Sequence, residues 1–224
     1  MAQFQIRPEY VSFDNYGTLI SWHMNDTARE LTRGQLDDEQ FAAFTAIFRR
    51  YRYDAVLGDY LPYDTILQNS FDRACKRHGI ESTPEAGTVL GEAVASWGAH
   101  DGIVEPLTTM GKNYKLVILS NGDDWHLNKS VARLGADFHA VLTAEQAQSY
   151  KPRYQAFEYM LETLNARPED FLHVSSHTRY DLIPADDLGF TNKVYFNRGF
   201  DPHARAYNYR TVASLGEVNA MLGL

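Results

Sequence analysis

A regular alternation of short apolar runs and helix-like stretches is the feature that most limits how this 224-residue chain can fold. The apolar runs have strand length, are rich in Val, Ile, Phe and Tyr, and cover residues 9–14, 114–122, 137–145, 170–177 and 192–199. Stretches of helical period separate the last four runs, and Pro152, Gly135 and Gly189 stand where helices begin or end. This alternation predicts an α/β fold, with a Rossmann-like parallel sheet and helices on both of its faces.

The first two predicted strands are separated by about 100 residues with a helical pattern. Apolar residues recur at spacings of three to four along residues 37–57 and 63–79, and less strongly along residues 84–98. We therefore predict that an α-helical cap is inserted after the first strand of the sheet.

The predicted domain boundaries follow from this insertion. Residues 20–100 form the cap, and residues 1–19 and 101–224 form the core. Trp22 and the stretch 97–106 are the expected hinges. A cap of this kind would cover the carboxyl ends of the strands, exclude water from the site beneath it, and gate substrate entry by hinge motion.

Polar residues gather where the predicted strands end. In a doubly wound sheet, ligands bind at the carboxyl ends of the strands. The residues found there are Asp14, then Ser120 and Asn121, then Ser175, Ser176 and His177, with Lys151 just past the third strand. These residues are the candidates for a functional site.

Composition and charge exclude several classes of protein. The net charge is −8 and no block of Lys or Arg stands out, which argues against a nucleic-acid partner. No apolar run approaches the roughly 18 residues of a membrane span, and the N-terminus lacks the apolar region of a signal peptide. The single cysteine, Cys75, excludes an intrachain disulfide and a cysteine-built zinc site. We expect a cytoplasmic globular protein.

Four short motifs occur in order along the chain. They are Asp14-x-Tyr16-Gly17-Thr18, Ser120-Asn121-Gly122, Lys151-Pro152, and Ser175-Ser176 with Asp181 and Gly189. Together they resemble the haloacid dehalogenase superfamily over essentially the whole chain, and the predicted cap falls at the usual insertion point of that family. The resemblance implies a hydrolase in which Asp14 is the nucleophile and forms a covalent ester that water then hydrolyses.

The same resemblance implies how the nucleophile is supported. Lys151 would pair with Asp14 and keep it ionised. Thr18 and Ser120 would hold its oxygens by hydrogen bonds. Gly17 would allow the chain to turn tightly beneath it.

Two positions differ from the phosphatases of this superfamily. Tyr16 stands where the phosphatases carry a second Asp that protonates the leaving group. Ser176 stands where they carry the first of two Asp residues that help to bind Mg²⁺. Because phosphoryl transfer relies on that ion to offset the phosphate charge, these two losses argue against a phosphatase. We expect neither a cofactor nor a bound metal.

The pattern instead resembles the type II L-2-haloacid dehalogenase branch. A halide leaves as a stable anion and needs neither a proton nor a metal ion. The resemblance implies that Asp14 displaces halide from C2 of a small 2-haloacid, with inversion, and that water releases a 2-hydroxy acid from the ester. The residues that would position this water are Ser175, Ser176, His177 and Asp181. Asp181 is the best candidate for the base or for the group that orients this water, and the less favoured alternative is a carboxylate at the start of a helix.

The substrate-binding residues are predicted from the same resemblance. Asn121 matches an amide that contacts halide or carboxylate, and Tyr16 and Trp22 would form an aromatic wall. His177 would orient water or bind the substrate carboxylate. Hinge packing would also account for Trp22, and a structural role for His177. The further candidates are Asn15, Arg52 and Ser175.

Two departures from well-known dehalogenases leave the leaving group open. Arg52 is near the place of a cap arginine that helps halide to leave, but Asp54 sits nearer to that place. Phe157 replaces a Tyr six residues after Lys151. An acid near the leaving group would repel halide and accept an amine, so the alternative is ring opening at a C–N bond, as in azetidine-2-carboxylate hydrolase.

Less favoured alternatives are a phosphatase and a non-catalytic binding protein on the same fold. In each enzymatic case other than the phosphatase, the expected partner is a small 2-substituted carboxylic acid. Relatives often dimerise through their cap helices, and the sequence leaves a homodimer open.

Overall fold

A six-stranded parallel sheet forms the centre of the molecule. The structure, a computed structural model, describes residues 7–204 and 206–224. The strands are β1 Tyr10–Phe13, β2 Lys115–Ser120, β3 Ala140–Thr143, β4 Phe171–Ser175, β5 Asn192–Phe196 and β6 Arg210–Val212. Their order across the sheet is β3-β2-β1-β4-β5-β6, and every neighbouring pair is parallel. The predicted α/β, Rossmann-like fold is confirmed, and the sequence analysis missed only the three-residue strand β6 among these six.

Helices cover both faces of the sheet and fill the long connection after β1. They are α1 Met24–Leu31, α2 Asp38–Ala55, α3 Tyr63–His78, α4 Ala86–Ser96, α5 Val104–Gly111, α6 Asp124–Val131, α7 Ala144–Ala147, α8 Tyr154–Leu164, α9 Ile183–Asp187 and α10 Leu215–Leu222. A π-helical turn, Thr178–Leu182, leads into α9. Within the described ranges, no helix is both long enough and apolar enough to cross a membrane.

The central strands β1 and β4 are buried on both faces, as parallel strands between helices must be. Phe13 of β1 packs into the larger core, while Tyr10 of the same strand belongs to a second core with α8. Because side chains alternate between the faces of a strand, Ser12 and Asp14 lie on the same face as Tyr10. This alternation of side chains determines which polar residues share a face near the ends of β1 and β4.

The connection after β1 folds as helices because it carries a helical apolar stripe. Phe41, Phe44 and Phe48 recur at spacings of three and four along α2 and are buried. The Phe44 and Phe48 rings meet Phe71 of α3 edge-on, at centroid distances of 5.6 and 5.7 Å. Asp37 begins α2 with a capping box. The helical content expected after β1 is therefore present.

The two chain segments that lead into and out of these helices lie side by side. Ser21 N donates to Gly98 O over 2.9 Å, and the rings of Trp22 and Trp97 meet edge-on at 5.1 Å. The predicted hinges are thus in mutual contact. The division into a cap of residues 20–100 and a core of residues 1–19 and 101–224 stays a prediction, and residues 1–6 lie outside the described part of the chain.

Candidate active site

The candidate site lies where the order of the strands reverses. The chain runs from β1 outward to β2 and β3, and then returns to β4 on the other side of β1. Ligands bind at such a switch point, outside the carboxyl ends of the strands. Asp14 follows β1 directly, Ser120 ends β2 and Ser175 ends β4, so the predicted site residues converge on this point.

Asp14 is buried, and both of its carboxylate oxygens are held. The Thr18 hydroxyl donates to Oδ2 over 2.6 Å, and Lys151 Nζ donates to Oδ1 over 3.0 Å. Hydrogen bonds to an ionised group are shorter and stronger than neutral ones. The predicted contacts of Thr18 and Lys151 with Asp14 are therefore present in the structure.

Lys151 connects Asp14 to a second carboxylate. Its ammonium group also donates to Leu119 O and to Asp181 Oδ1, each over 2.7 Å, so all three of its protons are used. Burial by itself would lower the pKa of Lys151, but the Asp14 and Asp181 carboxylates outweigh it and raise the pKa above the usual value. Lys151 is therefore a permanent cation between two carboxylates.

Asp181 is fully buried on the π-helical turn. Its Oδ1 accepts from Lys151 Nζ and from His173 Nε2, the latter over 3.0 Å. Burial would raise the pKa of Asp181, but Lys151 and His173 lower it to about 2. Its Oδ2 is buried and accepts no hydrogen bond from the described residues. A buried carboxylate oxygen of this kind needs a polar partner, which a water molecule can supply.

A tight turn brings the first and fourth motifs together. Gly17 has φ of +86°, and a Cβ atom there would lie 2.9 Å from His177 Nε2, so only glycine fits. Ser176 N donates to Thr18 Oγ1 over 2.9 Å. Since the Thr18 hydroxyl proton is used on Asp14, the Ser176 hydroxyl must donate in the 2.9 Å contact between the two hydroxyls. Ser176 therefore supports the Asp14 carboxylate through Thr18.

A cavity of about 490 Å³ opens above Asp14. Its lining combines charged groups from both sides of the molecule with an aromatic wall. The lining residues include Asp14, Tyr16, Trp22, Arg49, Arg52, Tyr63, Ser120, Asn121, Lys151, His177, Tyr180 and Phe200. The predicted aromatic wall of Tyr16 and Trp22 therefore lines the cavity. Burial raises the pKa of Tyr16, so its phenol stays protonated.

Arg52 contributes an unpaired cation to this cavity. Its Nε is buried, and Arg52 has neither a hydrogen bond nor a carboxylate partner among the described residues. The guanidinium lies over the rings of Trp22 and Phe48, at 5.2 and 4.7 Å from their centroids. Burial lowers the pKa of Arg52, but arginine stays charged in proteins. A positive charge in such surroundings is suited to binding an anion.

Asp54 does not lie near the leaving group, where the sequence analysis placed it. Its side chain is exposed and pairs with Arg73 over 2.8 Å, away from the cavity lining. Residues two apart on a helix point in different directions, so Arg52 faces the cavity and Asp54 faces solvent. The expectation that Asp54 lies beside the leaving group was therefore wrong.

Ser120 and Asn121 both line the cavity, but Ser120 lacks the contact with Asp14 that was predicted for it. Ser120 Oγ is buried and has no hydrogen-bond partner among the described residues, so it does not hold an Asp14 oxygen. Thr18 and Lys151 already donate to both of those oxygens. Asn121 uses its amide on the backbone of Lys151, with both bonds at 2.7 Å. Asn121 therefore positions Lys151, while the free Ser120 hydroxyl remains available to a ligand.

Asn15 and Ser175 do not line the cavity. The Asn15 amide donates to Ser130 Oγ over 3.1 Å, which directs it toward α6. Ser175 Oγ accepts from His177 N over 3.0 Å and closes its own turn. Asn15 Oδ1 has no hydrogen-bond partner among the described residues, and the predicted contact of both residues with substrate stays a prediction.

His177 reaches the cavity next to a second ion cluster. Its ring stacks on Phe200 at 5.4 Å, and its Nδ1 lies 3.7 Å from Asp201 Oδ2. Burial would lower the pKa of His177, but the Asp201 carboxylate outweighs it and raises the pKa. Arg49 of α2 also pairs with Asp201. The sequence analysis missed both Arg49 and Asp201, which offered no motif.

The sequence analysis also missed His173 and Ser12. Both are fully buried, and Ser12 Oγ lies 2.9 Å from His173 Nδ1. The ring of Phe157, which replaces the Tyr of well-known dehalogenases, packs on His173 at 5.7 Å. The available signal was a polar residue inside each of two apolar strands.

A family model described as haloacid dehalogenase-like hydrolase matches residues 9–189, well over half of the chain. The chain belongs to this family. The predicted resemblance to the haloacid dehalogenase superfamily and to its L-2-haloacid dehalogenase branch is thereby confirmed.

Curated relatives of this haloacid dehalogenase-like hydrolase are dehalogenases. It is 23% identical to (S)-2-haloacid dehalogenase 1 of a Pseudomonas species over 94% of both chains. It is 23% identical to (S)-2-haloacid dehalogenase 4A of Burkholderia cepacia over 85% of this chain and 83% of that one. Haloacetate dehalogenase H-2 of a Moraxella species is 22% identical over 81% and 83% of the two chains.

Solved structures share the fold. One is the L-2-haloacid dehalogenase of Xanthobacter autotrophicus with chloropropionic acid covalently bound. It is 19% identical, with a TM-score of 0.77 over 96% of this chain and 98% of that one. A putative HAD-hydrolase of Bacillus subtilis bound to magnesium is 17% identical, with a TM-score of 0.81 over 98% and 100% of the two chains.

The residues of this hydrolase do not fit the magnesium site of the superfamily phosphatases. Both Asp14 oxygens accept from Thr18 or Lys151, and Asp181 Oδ1 accepts from two cationic or polar donors. Ser176 replaces the further carboxylate, and its hydroxyl is used on Thr18. Within the described ranges, no group of three or more His, Cys, Asp or Glu side chains is arranged to hold a metal ion. No step below depends on one.

Proposed function

We propose that this hydrolase is a metal-independent (S)-2-haloacid dehalogenase that acts through an aspartyl ester. The observation that carries the proposal is the pairing, in one cavity, of a buried carboxylate and an unpaired guanidinium. Asp14 is the carboxylate, and Arg52 is the guanidinium. A 2-haloacid offers a matching partner to each: an electrophilic carbon for Asp14, and a carboxylate or departing halide for Arg52.

In the first step, an Asp14 oxygen forms a bond to C2 of the substrate while the C–halogen bond breaks. The halogen leaves with the bonding electron pair as halide, so no proton is transferred. Thr18 and Lys151 fix the carboxylate for this displacement. The half-buried aromatic wall and the helices α1–α4 limit the access of water to the nucleophile.

In the second step, water attacks the carbonyl carbon of the Asp14 ester. The water gives a proton to a base, and the ester C–O bond on the carbonyl side breaks, so a 2-hydroxy acid leaves and Asp14 is regenerated. The departing alkoxide takes up the proton that the base received, and the second proton of the water is released to solvent, so Asp14 returns as a carboxylate. Asp181 is the base in this proposal, because its free Oδ2 is the unsatisfied acceptor of the buried cluster.

The C–N alternative loses the residue that favoured it. Asp54 was the acid expected beside an amine leaving group, and it is exposed and paired with Arg73. Arg52, which lines the cavity together with Arg49 and Lys151, would repel an ammonium group. A phosphatase is disfavoured by the poor fit of the site to magnesium.

Chloride release tests the proposed function directly. We expect the purified protein to release chloride from L-2-chloropropionate at the same rate with and without EDTA. The D-enantiomer, azetidine-2-carboxylate and p-nitrophenyl phosphate should give at most about one hundredth of that rate, since each lacks the matched geometry or leaving group. Loss of chloride release in EDTA, or magnesium-dependent release of p-nitrophenol as the dominant activity, would overturn the proposal.

Replacement of Arg52 by Met should weaken substrate binding. The charge-assisted contact between the guanidinium and the substrate anion would be lost, at a cost of about 1.5–3 kcal/mol, or about 10-fold to 150-fold in kcat/KM. The measurement is the initial rate of chloride release over a range of L-2-chloropropionate concentrations. Arg50→Met is the matched control, because Arg50 is exposed on the same helix and does not line the cavity. An equal effect of both substitutions would argue against a role of Arg52 in binding.

A further inference from the structure

Ser12 and His173 form a buried polar pair that the steps above do not use. They lie on neighbouring strands, directly opposite each other in the register of β1 and β4. Ser12 Oγ is 2.9 Å from His173 Nδ1, and His173 Nε2 is 3.0 Å from Asp181 Oδ1. Polar side chains inside a core are costly unless they are paired. The Ser12 hydroxyl and both ring nitrogens of His173 are paired, and the chain of contacts ends on Asp181, the proposed base.

The chemistry of the acceptors determines where the protons lie. Asp181 is ionised, so its carboxylate only accepts hydrogen bonds and His173 Nε2 carries the proton. In the neutral ring, Nδ1 is then an acceptor, and the Ser12 hydroxyl donates to it. Ser12 thereby selects the tautomer of His173 that can donate to Asp181.

Aromatic contacts fix the plane of the His173 ring. Phe157 meets it at a centroid distance of 5.7 Å and an angle of 72°, and Phe190 meets it at 6.1 Å and 64°. The ring is therefore held by two edge contacts as well as by its two hydrogen bonds. Its Nε2–H can point only toward Asp181.

Two donors on one oxygen give the Asp181 carboxylate a fixed orientation. Lys151 and His173 both donate to Oδ1, which leaves Oδ2 as the free acceptor. Esterification of Asp14 removes its negative charge, so Asp181 becomes the remaining carboxylate partner of Lys151. With Lys151 alone, the carboxylate could rotate and present either oxygen. His173 adds the second point of attachment.

We propose that His173 is a positioning residue for the second step, in which it holds Asp181 Oδ2 toward the water that attacks the ester. This proposal rests on the proposed function. The first step does not involve His173, because Thr18 and Lys151 hold the nucleophile without it. Loss of the His173 hydrogen bond should therefore slow ester hydrolysis and leave ester formation intact.

The test separates the two steps in His173→Phe, which keeps a ring of similar size but has no donor. The reaction with L-2-chloropropionate is stopped at intervals, chloride is measured, and the mass of the intact protein reports the ester. We expect one equivalent of chloride per enzyme to be released at the wild-type rate. The steady-state rate that follows should be lower than that of the wild type by a factor on the order of 10 to 100, the size of effect seen when a residue that orients a metal-ligating side chain is removed. The ester should accumulate in the variant.

Three further variants make the result specific. His173→Gln places an amide N–H near the position of Nε2 and should restore most of the hydrolysis rate. Phe171→Leu alters a buried residue on the same face of β4 without touching Asp181, and should behave like the wild type in both steps. Ser12→Ala, which keeps the imidazole but removes its hydroxyl donor, should slow the same step by a smaller factor and serves as the test if His173→Phe does not fold.

Two outcomes overturn the role of His173: equal slowing of both steps in His173→Phe, or wild-type hydrolysis in both His173→Phe and Ser12→Ala. Failure of the proposed function looks different, because the wild-type protein itself would then release no chloride and form no ester. If the wild-type protein releases chloride and the His173 variants hydrolyse the ester at the wild-type rate, only the positioning role of His173 is contradicted.

Discussion

Replacement of Asp14 by Asn is expected to lower kcat for chloride release by at least about 10⁴-fold, the scale of loss when a nucleophile is removed. The amide has nearly the same shape as the carboxylate but lacks the negative charge that attacks C2. Lys151 keeps Asp181 as a partner, so the variant should still fold. Initial rates of chloride release and circular dichroism check both expectations.

Asp54→Asn is the matched control for this substitution. Asp54 is an exposed carboxylate outside the cavity lining, and its neutralisation should leave the rate of chloride release unchanged. Near-normal turnover in Asp14→Asn would remove Asp14 from the role of nucleophile and with it the whole ester mechanism.

Isotope labelling distinguishes an ester from direct attack by water on C2. In a single turnover in ¹⁸O-water, with enzyme in excess, the label should enter the Asp14 side chain, because water attacks the carbonyl carbon of the ester. The 2-hydroxy acid from that first turnover should carry the unlabelled Asp14 oxygen. Peptide mass spectrometry around residue 14 and analysis of the product report both. Label in the first-turnover product alone would mean that no ester forms.

Replacement of Lys151 by Met should have the largest effect on stability. Lys151 is the cation shared by Asp14 and Asp181, and its removal leaves two buried carboxylates without their common partner. Breaking a buried ion pair in this way costs about 3–5 kcal/mol in the free energy of unfolding. Activity should also be lost, because neither carboxylate would stay ionised and oriented. Urea denaturation measures the stability, with Lys112→Met as an exposed control on which little change is expected.

The stability difference between the wild type and Lys151→Met should depend on pH with a defined sign. In the wild type, the pKa of Asp181 is lowered to about 2 by Lys151 and His173. Its contribution to stability is therefore complete above the unfolded value of about 3.9 and is lost only as the pH falls toward 2.

In the variant the sign reverses, because two carboxylates without a cation raise the pKa of one of them above the unfolded value. The variant is then most stable below about pH 4, and its free energy of unfolding falls as the pH rises from there toward the raised pKa. The difference in the free energy of unfolding should accordingly be larger at pH 7 than at pH 4. The same difference at both values would show that Lys151 does not hold the two carboxylates ionised.

The sheet could be predicted because its signal is local. A strand between helices is buried on both faces and is therefore an apolar run of fixed length, which the sequence displays directly. Five observed strands lie within the predicted runs, whereas β6, Arg210–Val212, is too short and too polar to stand out. The helical connection after β1 showed its period in the same way.

The contact of Asp14 with Thr18 and Lys151 was also predictable. The resemblance to the haloacid dehalogenase superfamily implied both contacts, and parallel strands bring their carboxyl ends to one edge, where residues far apart along the chain can meet. Lys151 stands 137 positions from Asp14 and still donates to it. The motifs that contain Asp14, Thr18 and Lys151 occur in order along the sequence.

Other side chains could not be assigned from position alone. Asn121 and Ser175 lie at the ends of strands as predicted, yet their side chains form hydrogen bonds with backbone groups. Asp54 and Arg52 are two residues apart, and only the packing of α2 decided that Arg52 faces the cavity.

The sequence by itself therefore determined the fold class, the helical insertion and the edge of the sheet where chemistry takes place, because these follow from the periods of single elements. Only the tertiary structure decided which polar groups pair with one another, as in the Ser12–His173–Asp181 chain. Such pairing depends on which partner lies within about 3 Å after the elements have packed. Ser12 and His173 are 161 positions apart, and no local pattern records that distance.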